Sequence, residues 1–94
     1  MKSTVSVETP KASGYLQQLA KHFGHKRPVT FDAASGRIEF DGFTADLAAD
    51  SAALTMTVTA DTTDQVARGQ DVLWRHLERF AFREDLAAPE WHAA

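Results

Sequence analysis

The chain has 94 residues, of which 44 % are hydrophobic, including six Phe, two Trp and one Tyr. That is enough for one ordinary core and short for two, so residues 1–94 are expected to form a single domain. The absence of cysteine excludes disulfide frameworks, thiolate zinc centres and cysteine nucleophiles. A formal net charge of −3 offers no global attraction for nucleic-acid phosphates or anionic lipid.

Neither a signal-peptide core nor an apolar run long enough to span a bilayer is present, and a cytoplasmic protein is the expectation. Along the chain, Val5 and Val7 alternate with polar residues between Ser3 and Glu8, the period of a half-buried strand. Thr9 before Pro10 reads as a helix entry. Ala12, Tyr15, Leu16, Leu19, Ala20 and Phe23 then form one apolar stripe, and Gly24 offers a left-handed stop, so the first helix is expected over Pro10 to Phe23.

Val29 and Phe31 begin a run of strands. Asp32 to Gly36 reads as a hairpin loop into Arg37 to Phe40, and Asp41-Gly42 as a type I′ turn, which needs positive φ at both central residues. Ala45 and Leu47 face inward. Leu54, Met56, Val58 and Ala60 alternate with Thr, completing a four-stranded meander.

Asp61 with Asp64 is expected to cap a second helix over Thr62 to Ala81, with Val66, Leu73, Leu77 and Phe80 as its buried seam. Gly69 beside that seam suggests the close approach of another backbone, or simple tolerance. Residues 82–94 read as a tail that can pack Leu86 or Trp91 on the body. The predicted fold is α+β: a β-α-β-β-β-β-α two-layer sandwich, a curved antiparallel sheet with both helices on one face. The TATA-box-binding-protein-like and helix-grip folds share this element order, an analogy that carries no function.

Two basic groups stand out. Lys21, His22, His25, Lys26 and Arg27 crowd the end of the first helix, where cations also complement the helix dipole. On the second helix, His76, Arg79 and Arg83 lie on one shoulder of the seam, with Arg68 and Arg75 further round; Asp71 can pair with Arg75. If the two helix ends meet, His25, Lys26, Arg27, His76, Arg79 and Arg83 form a cleft suited to a carboxylate or phosphate.

A metal site is the alternative, with His22, His25 and His76 as nitrogen ligands, Asp32 or Glu78 as carboxylate, and iron or zinc as the ion; no other cofactor is expected. Catalytic signatures are missing. The sequence holds no Gly-rich phosphate loop, no Gly-x-Ser-x-Gly elbow and no His-Glu-x-x-His helix, and no catalytic residue is assigned. The solvent face of the sheet, with Arg37, Glu39, Asp46, Thr55, Thr57 and Thr59, has no aromatic platform for nucleic acid.

The runs Tyr15-Leu16-x-x-Leu19-x-Lys21-His22-x-x-His25-Lys26, Gly36-Arg37-Ile38 and His76-Leu77-x-Arg79-Phe80-Ala81-Phe82-Arg83-Glu84 resemble the bacterial family known as domain of unknown function 2218. Some members are joined to siderophore-interacting, ferric-reductase-like flavoproteins. What the resemblance implies is an accessory role in iron or siderophore handling, with such a reductase as partner and His25, Lys26, His76, Arg79 and Arg83 as the positions carried over. The leading reading is therefore a binding or accessory module, monomer or homodimer, for a small anionic ligand. The alternatives are a His-based metal-dependent or small-molecule enzyme and a structural homodimerising domain; no nucleic-acid or membrane partner is expected.

Overall fold

The computed structural model describes Met1–Ala94 throughout. Strand β1 (Lys2–Glu8) leads into helix α1 (Ala12–Gly24), followed by β2 (Val29–Phe31), β3 (Ser35–Glu39), β4 (Thr44–Ala49), β5 (Ala53–Thr59), helix α2 (Thr63–Phe80) and a short β6 (His92–Ala93). The strands pair antiparallel in the order β2-β3-β4-β5-β1-β6. Neither helix is long and apolar enough to cross a membrane.

The expected meander is β2 to β5, and β1 closes onto β5 with Val5 opposite Met56 and Val7 opposite Leu54. Strict alternation sends Ile38, Ala45, Leu54, Met56 and Val58 fully into the core, while Thr55, Thr57 and Thr59 stay partly solvated. On that wetter face the Thr4 and Thr57 hydroxyls meet at 3.1 Å. Helix α1 lies over β2 to β5 and α2 over β5 and β1, so both stripes share one core with the dry sheet face. The architecture is the α+β two-layer sandwich that the patterning predicts.

Several local readings are corrected. Helix α1 starts at Ala12, because its first helical hydrogen bond returns from Tyr15 N–H to the Lys11 carbonyl, leaving Pro10 in the preceding turn. Thr9 does not cap the helix; its hydroxyl accepts from the Lys11 N–H at 3.1 Å. The cap of α2 is Thr62 rather than Asp61, its Oγ1 accepting from Gln65 N–H at 3.2 Å.

Gly24 ends α1 without a left-handed stop, since Gly42 alone in the chain has positive φ. For the same reason the Asp41-Gly42 turn is not type I′: Gly42 adopts φ 90° while Asp41 stays at negative φ. Gly69 does mark a close approach, but of side chains: a Cβ there would lie 2.6 Å from Val58 Cγ1 and 2.9 Å from Phe43 Cδ2. The last residues are not a plain tail. Leu86 and Trp91 pack against the core, and β6 pairs Ala93 with Ser3 and His92 with Thr4.

Candidate binding site

The end of α1 stays tightly wound past Gly24. The N–H groups of Lys26 and Arg27 both donate to the Phe23 carbonyl, at 3.1 and 2.9 Å, and this coil brings His25, Lys26 and Arg27 round beside the helix axis. Facing them is the middle of α2. The His22 ring lies 5.0 Å from the His76 ring and 5.7 Å from Phe80, and Phe23 stands 4.8 Å from His76, centroid to centroid. The two positively charged segments therefore converge.

His76 is fixed by its own helix. Its Nδ1 lies 2.7 Å from the Val72 carbonyl, which can only accept, so Nδ1 carries the proton and donates. His22 titrates below the ordinary histidine range because partial desolvation, and then the charges of His76, His25, Arg79 and Lys26, disfavour its cation.

Between α1, the β3–β4 turn and α2 lies a cavity of about 410 Å³. Phe23, Phe40, Phe43 and Val72 supply its apolar wall. Phe40 and Phe43, flanking the Asp41-Gly42 turn, stack at 4.6 Å with 19° between planes, and Phe23 meets Phe40 edge-on at 4.9 Å. The polar lining is His22, His25, Lys26, Arg27, Arg68 and Asp41. Arg27 and Asp41 pair at 3.0 Å, with the guanidinium carbon 5.8 Å from the Phe40 centroid.

Of the residues singled out in the sequence, His25, Lys26 and Arg27 line the cavity and His76 backs it through His22 and Phe23. Arg79 acts on His22 by its charge without lining the space. Arg83 does not line the cavity either. Helix α2 ends at Phe80, so the helical phase that would carry Arg83 beside His76 no longer applies, and its guanidinium lies 5.3 Å from the exposed Phe82 ring.

The candidate metal ligands do not gather into a metal site: no group of three His, Asp or Glu side chains capable of holding an ion forms in the chain. Asp32 instead accepts from the Ala34 and Ser35 N–H groups, each at 2.8 Å. Glu78 faces outward next to Trp74 and Phe82. Sequence reasoning read Phe40 only as a strand end and Asp41 only as a turn residue, passed over Phe43, and did not select Arg68. The available signal was two aromatics bracketing an Asp-Gly turn in a chain of six Phe.

A second polar constellation escaped notice altogether. The Tyr15 hydroxyl donates to Glu84 Oε2, and Thr9 Oγ1 donates to Oε1 of the same carboxylate at 2.9 Å. Burial, and then the carboxylate beside it, push the Tyr15 hydroxyl up to about 12, while the Tyr15 hydrogen bond foremost holds Glu84 below its usual range. The connection ties the segment after α2 to the start of α1.

No curated protein matches the sequence. The structure is similar to the NMR structure of PA4090 from Pseudomonas aeruginosa, at 33 % identity and a TM-score of 0.82, over 97 % of this chain and 94 % of that one. Residues 4–92, from β1 to the first residue of β6 and so including both converging basic segments and Glu84, match the family described as an uncharacterized protein conserved in bacteria (DUF2218). Whole-length agreement in sequence thus accompanies agreement in fold, and the chain belongs to the DUF2218 family.

Proposed function

We propose that this protein is a small-molecule binding or accessory module, without catalysis of its own, and that its ligand is a small anion held in the cleft between α1, the β3–β4 turn and α2. The observation that carries the reading is the charge around the cavity: Lys26, Arg27 and Arg68 stand against the single carboxylate of Asp41, and neither Lys26 nor Arg68 has an ion-pair partner. Cations left unpaired beside a concave apolar wall are what an anion site requires, with arginine offering a planar fork to a carboxylate or phosphate. His22 adds a donor whose charge responds to pH, and His25 contributes a further ring nitrogen to the lining. The volume of about 410 Å³ falls within the range of small-ligand sites.

The wider role we favour is accessory to iron or siderophore handling inside the cell, beside a reductase-type partner. Its support is only what the family resemblance implies, a joining of some members to siderophore-interacting flavoproteins.

Phosphate, citrate and acetate, titrated at millimolar concentration and followed by amide chemical shifts, test the anion reading. Movement centred on Phe23 to Arg27 and on Arg68 to Val72 is expected, with Arg68→Gln weakening it. Absence of any shift there overturns the reading. Zn(II) and Fe(III) salts are the counter-probe: saturable binding of metal without added anion favours the metal-dependent alternative.

A further inference from the structure

The charged rim accounts for less than half of the cavity's character, because most of the surface it presents is apolar. Phe23, Phe40 and Phe43 converge on it from α1 and from both sides of the β3–β4 turn, with Val72 closing the wall from α2. From this we infer that the ligand is an aryl carboxylate: a one- or two-ring aromatic body seated among the three phenylalanines, with its carboxylate at the rim cations. The inference rests on the anion-binding reading and narrows it.

Three features select this class. Anions of three or more charges are disfavoured, since Asp41 stands at the rim and leaves a surplus of two formal charges from Lys26, Arg27 and Arg68. Arg27 is already engaged by Asp41 at 3.0 Å, so Lys26 and Arg68 remain to meet one carboxylate. A small hydrophilic anion such as phosphate would leave the phenylalanine wall against water, whereas an aryl ring covers it and gains edge-to-face contacts of the kind Phe23 and Phe40 already make at 4.9 Å.

The wall is also held in place. Phe43 is 6 % exposed and packs under Gly69 of α2, where a Cβ would come within 2.9 Å of its ring. Phe40 is stacked on Phe43 and half-buried. An aromatic surface ordered before the ligand arrives binds without the cost of ordering those side chains.

Benzoate, cyclohexanecarboxylate, acetate and benzylamine, titrated into the intact protein by NMR, separate the components. Benzoate is expected to bind about tenfold more tightly than acetate, with cyclohexanecarboxylate between them, benzylamine silent, and ring-current shifts on Phe23, Phe40 and Phe43. Phe40→Leu is expected to reduce benzoate affinity and leave acetate unchanged; Arg68→Gln, at an exposed position, weakens both. Equal affinities for benzoate and acetate overturn the aryl assignment while leaving the anion reading intact. If acetate, phosphate and benzoate all fail to move the cleft resonances, both fall together. Binding of benzylamine as strong as that of benzoate overturns the role given to the cations.

Discussion

Tyr15 and His22 stand seven residues apart on α1, two turns along the same face, and both look toward α2 or its continuation. Around Tyr15 the polar groups are matched: one hydroxyl from α1, one from Thr9 and one carboxylate from Glu84 satisfy one another beside the core. Around His22 they are not. Lys26, Arg68, Arg79 and His25 gather with no acid of their own, and an aromatic-walled cavity opens beside them. A matched set of buried polar groups fixes a fold, while an unmatched set at a concavity is poised for something from outside. Two turns of one helix thus serve two purposes.

The largest expected effect removes what the two regions share. Leu77 is fully buried in α2 between them, and Leu77→Ala should cost about 2–5 kcal/mol in urea unfolding, as should Leu73→Ala. Such a variant should loosen the clasp and the cleft alike. Near-wild-type stability would mean that α2 is not the common support.

Gly69→Ala should divide the two regions. The added methyl meets Val58 at 2.6 Å and the Phe43 ring at 2.9 Å, so an overpacking cost of about 1–3 kcal/mol outweighs the better helix propensity of Ala, near 1 kcal/mol. Amide shifts should change around Phe40 and Phe43 and be small at Tyr15 and Glu84. Stabilisation by this substitution would show that α2 can lift off the sheet freely.

Tyr15→Phe addresses the clasp alone and should cost about 1 kcal/mol, the worth of one hydrogen bond. The pH dependence follows from two opposite shifts. Glu84 is depressed when folded, so its contribution is present above the ordinary carboxylate range and is lost as pH falls through the folded value. Tyr15 is raised to about 12, so the folded state holds that proton more tightly and stability declines as pH rises from about 10 toward 12. Asp32 and Asp50 are also depressed by backbone N–H donors and share the acid limb. The alkaline limb belongs to Tyr15, the single tyrosine, and tyrosinate absorbance in the folded protein should have its midpoint near 12. A midpoint near 10 would show that the clasp is open in solution.

The two regions were unequally legible in sequence. Period-two and helical stripes disclosed β1, the meander and both helices, because burial on one face leaves a regular mark. The meeting of the two helix ends was only conditional in sequence, with His25 set beside His76; the rings that touch are those of His22 and His76. Glu84 was invisible as a clasp residue because its partners lie 69 and 75 positions away, and no local pattern encodes that separation. β6 was missed for the same reason, since two residues have no period and pair only because β1 offers an edge. Arg83 was set beside His76 by continuing a helical wheel past the helix end at Phe80, and it does not line the cavity. The Asp41-Gly42 turn signal drew the reading away from Phe40 and Phe43 on either side of it, which form the cavity wall.

The smallest expected effect separates Arg79 from Arg83, two residues that the shared motif sets side by side. His22 is kept below the ordinary histidine range first by desolvation, then by His76, His25, Arg79 and Lys26. Because its folded pKa is lowered, stability is lost as pH falls from about 6.5 toward the folded value. Arg79→Gln should move the His22 midpoint upward in an NMR titration, Lys26→Gln should do so by a little less, and Arg83→Gln should leave it where it is. A bound anion acts in the same direction as removing a cation, so benzoate should raise the midpoint and should itself bind more tightly as pH falls through it. If Arg83→Gln moved His22 as far as Arg79→Gln does, Arg83 would have to turn back toward the cleft, and the boundary drawn between the charged pocket and the end of α2 would be wrong.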